Sequence, residues 1–137
     1  TLDDFREAGA IAFGTPTRVG NVSAQLKNQI DQLSSLWLTG QLEGKAAGVF
    51  VSTSSLHGGQ ETTIHTLMAP LLHLGMILVG VPYSVPELLT TQSGGSPYGP
   101  GHVAGLDNKR EIDEHEAAVC RALGRRLADI GLRLEKK

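Results

Sequence analysis

The groups able to do chemistry concentrate in two short stretches. The first is GTPTRVGN, residues 14–21, where Pro16 stiffens the chain before a run of hydrogen-bonding groups that ends in the turn formers Gly20 and Asn21. Thr17 offers a hydroxyl and an amide, Arg18 a fixed cationic fork and Val19 an apolar lid. Such a loop could bond the edge of a planar heterocycle while covering part of its face; taken alone, a turn capping the next helix explains it better. The second is STSSLHGGQE, residues 52–61. Ser52, Thr53, Ser54 and Ser55 supply hydroxyls, Leu56 and His57 follow, and Gly58 and Gly59 permit close backbone approach just before a helix start that favours anions. It lacks the GK[ST] of a Walker loop and is not GxGxxG, so as a sole phosphate site it is weak. It also lacks the G-x-S-x-G elbow that a serine hydrolase would need.

Five histidines and the single Cys120 show neither HExxH nor paired Cys/His spacing, which argues against a metal site. His73 closes an apolar helical stretch, where a satisfied boundary histidine is commoner than a catalytic one. Trp37 either ends a core stripe, covers a ligand or anchors a subunit contact. Cys120, among Ala and Val on a helix, reads as inert.

The elements that must position these loops follow from periodicity. Ala10–Gly14 is a short apolar run stopped by Gly-Thr-Pro, a buried strand. Val22, Leu26, Ile30, Leu33 and Trp37 form one helical stripe, capped by Asn21 or Ser23 and ending near Thr39-Gly40. AAGVFVST, residues 46–53, is the near-continuous apolar run of a parallel strand covered on both faces. Ile64, Leu67, Met68, Leu71 and Leu72 give a second helix that Pro70 should bend or interrupt. Met76–Pro82 is a third strand, stopped by Pro82. Tyr83 to about Lys109 has no regular period and is long enough to carry function. Glu111–Leu134 is the last helix, with Ile112, Val119, Leu123, Leu127, Ile130 and Leu134 on one face. Asp113, Glu114 and Glu116 lie early in it, and Arg125, Arg126, Arg133, Lys136 and Lys137 late, as the macrodipole favours. Right-handed crossovers turn this order into a three-layer parallel sheet whose ligands sit beyond the carboxyl ends of the strands. The loops after Gly14, Val51 and Val81 should therefore converge on one crevice.

Composition bounds the partners. A chain of 137 residues suits one domain, and 12 Lys+Arg against 14 Asp+Glu give a net charge of −2, without the basic surface that phosphate-backbone binding draws on. No nucleic-acid partner is expected. The apolar runs fall well short of the ~20 residues of a membrane span. One cysteine and the polar opening TLDDFREAG point to a reduced, cytoplasmic setting. Seventeen glycines with 4% aromatics favour an α/β domain rich in turns.

Taken together, GTPTRVGN, QLKNQIDQLSSLWLTGQLEGK at 25–45, VFVSTSSLHGGQET at 49–62, LLHLGM at 71–76 and GGSPYGPGHVAG at 94–105 resemble the WrbA-type NAD(P)H:quinone oxidoreductases, flavodoxin-like proteins that bind FMN. The resemblance implies a doubly wound, three-layer parallel α/β sheet. It implies that Thr17, Arg18, Val19 and Asn21 contact the flavin and that Ser52, Thr53, Ser54, Ser55, Leu56, His57 and Gly58 wrap its ring and ribityl side. It further implies that His73 reaches the cofactor from a second subunit of a homotetramer, with Trp37 lining the quinone position. The family begins with a strand, a Ser/Thr-rich phosphate loop, a helix and a second strand. Residues 1–137 then read as the C-terminal part of one flavodoxin-like domain, without those first two strands and the phosphate cradle. With the flavodoxin order 2-1-3-4-5, the first strand here would be an unpaired, apolar edge.

The implied chemistry is hydride transfer from NADH or NADPH to flavin, then two-electron reduction of a quinone on the same face. Thr17 would stabilise the reduced ring, Trp37 would shape the pocket and His73 would assist charge balance. The alternative is an electron carrier or regulatory module that holds FMN without turning over NAD(P)H.

Overall fold

The computed structural model describes residues 1–135; Lys136 and Lys137, placed above at the basic end of the last helix, lie outside the described residues. The sheet is built on β1 (Ala10–Pro16) and β2 (Ala46–Thr53), parallel, with Ala10 opposite Ala46 and Pro16 opposite Ser52. β1 runs two residues beyond its expected end at Gly14. Pro16 is tolerated because it ends β1 and the N–H facing β2 is that of Thr17, which donates to Ser52 O at 2.8 Å, so no bond to β2 is lost.

The third position in the sheet departs from expectation. Only β3 (Ile77–Leu78) pairs with the start of β2, and β4 (Gly101–Val103) pairs with its end, Val51 opposite Gly101 and Thr53 opposite Val103. Val79 N–H still donates to Ala47 O at 2.8 Å, but Val81 N–H donates to Pro97 O at 2.8 Å. The strand expected over Met76–Pro82 is thus cut short by a returning segment that takes its place. A Cβ on Gly80 would collide with the Pro97 carbonyl, so a glycine there permits the approach. The stretch 83–109 holds β4 and a short helix, Glu87–Thr90, rather than turns alone.

Five further helices complete the layers among the described residues. α1 (Leu2–Glu7), which periodicity did not reveal, is closed by a capping box in which Thr1 and Asp4 satisfy each other's backbone. Its Phe5 packs on Phe13, ring centroids 6.2 Å apart. The single helix expected from Val22 to Trp37 is two, α2 (Ala24–Asp31) and α3 (Ser34–Leu38). Between them Leu33 N–H donates to Ile30 O at 3.0 Å, a three-residue turn that keeps both Leu33 and Leu36 fully buried. Ser23 caps α2, its Oγ accepting from Leu26 N–H at 3.4 Å. α4 (Gln60–His73) runs through Pro70 without interruption, although Pro70 has no N–H to donate to the Thr66 carbonyl one turn back.

The last helix, α5 (Glu114–Glu135), starts later than expected. Ile112 therefore precedes it and is 62% exposed instead of joining the buried stripe.

Two apolar clusters sit on opposite faces of the sheet. Phe13, Val49 and Val51 meet Ile30, Leu36, Ile64, Leu67 and Leu71 on one face. On the other, Ala46, Val79 and Val81 meet Val119, Leu123 and Leu127 of α5.

Candidate functional site

At the carboxyl edge the strands deliver the two chemistry-bearing loops side by side. β1 ends in a tight turn in which Arg18 N–H donates to Asn21 O (2.7 Å) and Asn21 N–H to Arg18 O (3.1 Å). Its central residues, Val19 and Gly20, have φ of 51° and 74°, the positive values of a type I′ turn. For a β-branched residue this is a strained conformation, and Val19 presents its whole side chain to solvent. Asn21 does not cap α2; its Oδ1 accepts from Val22 N–H at 2.7 Å.

Thr17 ties this turn to its neighbours. Its N–H donates to Ser52 O at 2.8 Å, and its hydroxyl pairs with that of Thr63 in the first turn of α4 at 2.9 Å. A Cβ on Gly59 would lie 3.6 Å from Gly20 Cα, so the two loops are in contact. In the second loop Thr53 Oγ1 donates to Ser55 O (2.8 Å) and accepts from Gln60 Nε2 (3.1 Å). The buried Thr53 hydroxyl shapes the loop, whereas Ser54, Ser55, Leu56 and His57 are exposed and Ser52 and Gly58 half-buried. The third expected loop, Pro82–Ser84, does not lie beside β2; β4 occupies that place.

Trp37 and His73 are together but elsewhere. Their rings lie 5.2 Å apart, both exposed, over a shallow hollow of about 170 Å³. Gly75 O accepts from Gly44 N–H at 2.9 Å, which puts this end of α4 at the amino edge of β2. Ten residues of helix separate Thr63 from His73, about 15 Å of rise.

A cluster that motif reading missed sits behind the loops. Glu116 is 2% exposed. Its Oε1 accepts from Gly94 N–H, Val103 N–H (both 3.0 Å) and Arg110 Nη1 (2.9 Å). Its Oε2 accepts from Asp113 N–H (3.2 Å) and faces His102 Nδ1 (2.9 Å). Burial pushes its carboxyl up, but the Val103 and Asp113 amides with His102 and Arg110 outweigh this and hold it below the ordinary carboxylate range. Asp113 is lowered mainly by the Ser93 hydroxyl, then by Glu116 N–H. Asp113 Oδ1 accepts from Glu116 N–H at 2.9 Å, so the pair is a capping box, and the Asp-x-x-Glu spacing before an apolar run was the available signal. Burial pushes the Cys120 thiol up, in keeping with an inert thiol.

An apolar cavity of about 430 Å³ opens between Gly14, Phe50, Ile112 and Cys120, with His102 and Glu116 at its polar end. A polar hollow of about 490 Å³ lies between His57, Gln60, Glu61 and Thr91. Among the described residues no three His, Cys, Asp or Glu are grouped to hold a metal ion, and no helix is long and apolar enough to cross a membrane.

A parallel sheet flanked by helices, with hydroxyl- and glycine-rich loops meeting at its carboxyl edge, defines the class: a flavodoxin-like α/β protein. Residues 2–87 match the NADPH-dependent FMN reductase family. The chain is 52% identical over 136 residues to an NAD(P)H dehydrogenase (quinone) of Trichlorobacter lovleyi, covering 98% of this chain and 67% of that protein. It is 46% identical over the same shares to one of Solidesulfovibrio magneticus. The crystal structure of a WrbA-like flavodoxin from Agrobacterium tumefaciens superposes with a TM-score of 0.73 at 24% identity, over 96% of this chain and 71% of that one. The chain belongs to the NADPH-dependent FMN reductase family, and the expected kinship with NAD(P)H:quinone oxidoreductases of flavodoxin-like fold is borne out.

Proposed function

We propose that this chain holds FMN at the carboxyl edge and serves the two-electron reduction of quinones by NADH or NADPH. The observation that carries the reading is the type I′ turn holding Val19 exposed at φ 51°. Strain of this kind persists where surrounding structure enforces it, and it clusters at ligand clamps. The donor set suits a flavin: Val19 and Leu56 offer apolar surface to a planar ring, and Thr17, Arg18, Asn21, Ser54 and His57 offer polar groups to its edge. Bound FMN supplies hydride acceptance and delivery.

The chain's own residues do the rest. Thr17 and the Arg18 turn fix the ring's polar edge, Val19 excludes water from its face, and Ser52–Gly58 orient the ribityl side. The curated relatives, named as NAD(P)H dehydrogenases (quinone), support quinone as acceptor. Because His73 lies about 15 Å along α4 from Thr63, with Trp37 of α3 stacked beside it, the two serve the site of another copy rather than their own. That supports a homotetramer in which His73 balances charge and Trp37 lines the quinone position. A cytoplasmic setting, which supplies the nicotinamide, completes the reading.

The test is spectral. Chain loaded with FMN and mixed anaerobically with NADH should lose its visible flavin band, and added quinone should restore it. A band unmoved by either nicotinamide overturns the enzyme reading and favours an electron carrier. Replacing His73 with Ala should lower quinone turnover more than FMN content; unchanged turnover removes His73 from the mechanism.

A further inference from the structure

We propose that Glu116 is the positioning residue of the carboxyl-edge site: through β4 its carboxylate holds the end of β2, and with it the loop Ser52–Gly58, in the arrangement that takes the flavin. The proposal deepens the reading above and rests on it.

A capping-box glutamate can satisfy its helix start while fully solvated. Glu116 is instead buried, and burying a charge is costly unless it is thoroughly partnered. Its partners come from separate pieces of chain: Asp113 N–H at the start of α5, Val103 N–H and His102 Nδ1 in β4, and Gly94 N–H in the segment that leads to β4. Arg110 balances the charge on Glu116 and Asp113 and donates to Val103 O at 2.7 Å.

β4 in turn lies beside Val51, Ser52 and Thr53, and Ala104 N–H donates to Thr53 O at 2.7 Å. From the opposite side Gln60 reaches Thr53 Oγ1 (3.1 Å) and accepts from Gly95 N–H (3.4 Å). Thr53, where β2 turns into the candidate loop, is thereby fixed by α4 directly and by Glu116 through β4. Every group aimed at Glu116 is a donor or, for His102, able to be one. An ionised carboxylate is acceptor-only, whereas an amide of the same shape turns a donor toward half of them.

The experiment compares wild type with Glu116→Gln by residue-resolved amide exchange, FMN fluorescence quenching and quinone kinetics. Exchange at Gly94 and Val103 should rise about tenfold or more, as expected for losing bonds to a charged acceptor, while Leu67 and Leu71 in α4 stay protected. The Kd for FMN should rise about tenfold, and at saturating FMN the quinone KM should rise more than kcat falls. Arg110→Gln, which keeps the carboxylate, should loosen the same two amides less, and it decides the matter if Glu116→Gln does not fold. Unchanged exchange at Gly94 and Val103, or loosened amides with an unchanged FMN Kd, overturns the proposal. Failure to quench FMN by wild type that also carries the family's first two strands and phosphate loop overturns the flavin reading on which it rests, a result distinguishable from either.

Discussion

The two faces of the sheet are built differently. The face toward α2, α3 and α4 is closed: Val49, Leu33, Leu36, Ile64, Leu67 and Leu71 are at most 1% exposed. The face toward α5 is covered over Ala46 and Gly48, where Leu123 and Leu127 pack, and then opens. Phe50 lies over Gly14 and is 40% exposed, at the wall of the apolar cavity. The described residues thus enclose the first face of the sheet more fully than the second. On the closed face, side chains at helical spacing meet side chains at strand spacing. On the other face α5 packs over Ala46 and Gly48, and the polar network of Glu116 lies beyond it, where β4 pairs with the end of β2.

Several measurements would sharpen or break this contrast. Leu67→Ala should cost about 3–4 kcal/mol, the range for deleting a fully enclosed leucine. Leu127→Ala on the α5 face should cost nearer 2 kcal/mol, since Leu127 borders a surface hollow shared with Gly9, Ala10 and Gly131 into which the site can relax. Equal losses in urea titration would erase the distinction between faces.

Glu116→Gln should cost about 2 kcal/mol at neutral pH, from donors left without a charged acceptor. The pH dependence has a definite sign. The folded carboxyl lies below its ordinary value of 4.5, so its contribution is present above that value and lost as pH falls through the lowered folded one. Wild type should therefore lose stability in that acid window more steeply than Glu116→Gln, and parallel acid profiles would count against an ionised latch.

Val19→Gly should stabilise the ligand-free chain by roughly 1 kcal/mol, because glycine carries no penalty at positive φ. The same change should weaken FMN binding. A variant that binds FMN as tightly as wild type would show that Val19 is strained for some other reason. Phe50→Thr should change stability least, within about 0.5 kcal/mol, as befits a half-exposed position on the α5 face.

Much of the framework was legible in sequence. The apolar run 46–53 is the central strand, Ile64, Leu67 and Leu71 of the expected stripe are buried on α4 while Met68 is half-buried and Leu72 faces solvent, and the loop GTPTRVGN turns where Gly20 and Asn21 said it would. The missed features share a cause. Leu33 sits at a three-residue turn because a stripe of apolar spacing does not record whether the helix between its members tightens. Met76–Pro82 looked like one strand because nothing in its own residues reports that the chain will return at Pro97 and Gly101 to take over its pairing. The strain at Val19 is also invisible in composition, since valine is a poor choice for a turn centre.

What the sequence alone determined was the alternation of strands and helices, the order of the loops and the family that order resembles, because periodicity and turn chemistry are local properties of the chain. Tertiary structure decided which loops meet. It set Gly59 against Gly20, sent His73 and Trp37 to the opposite edge, and brought Gly94, Val103 and Asp113 onto one buried carboxylate. Those outcomes depend on crossovers and register, through which residues far apart in sequence satisfy one another's hydrogen bonds, and no local pattern encodes them.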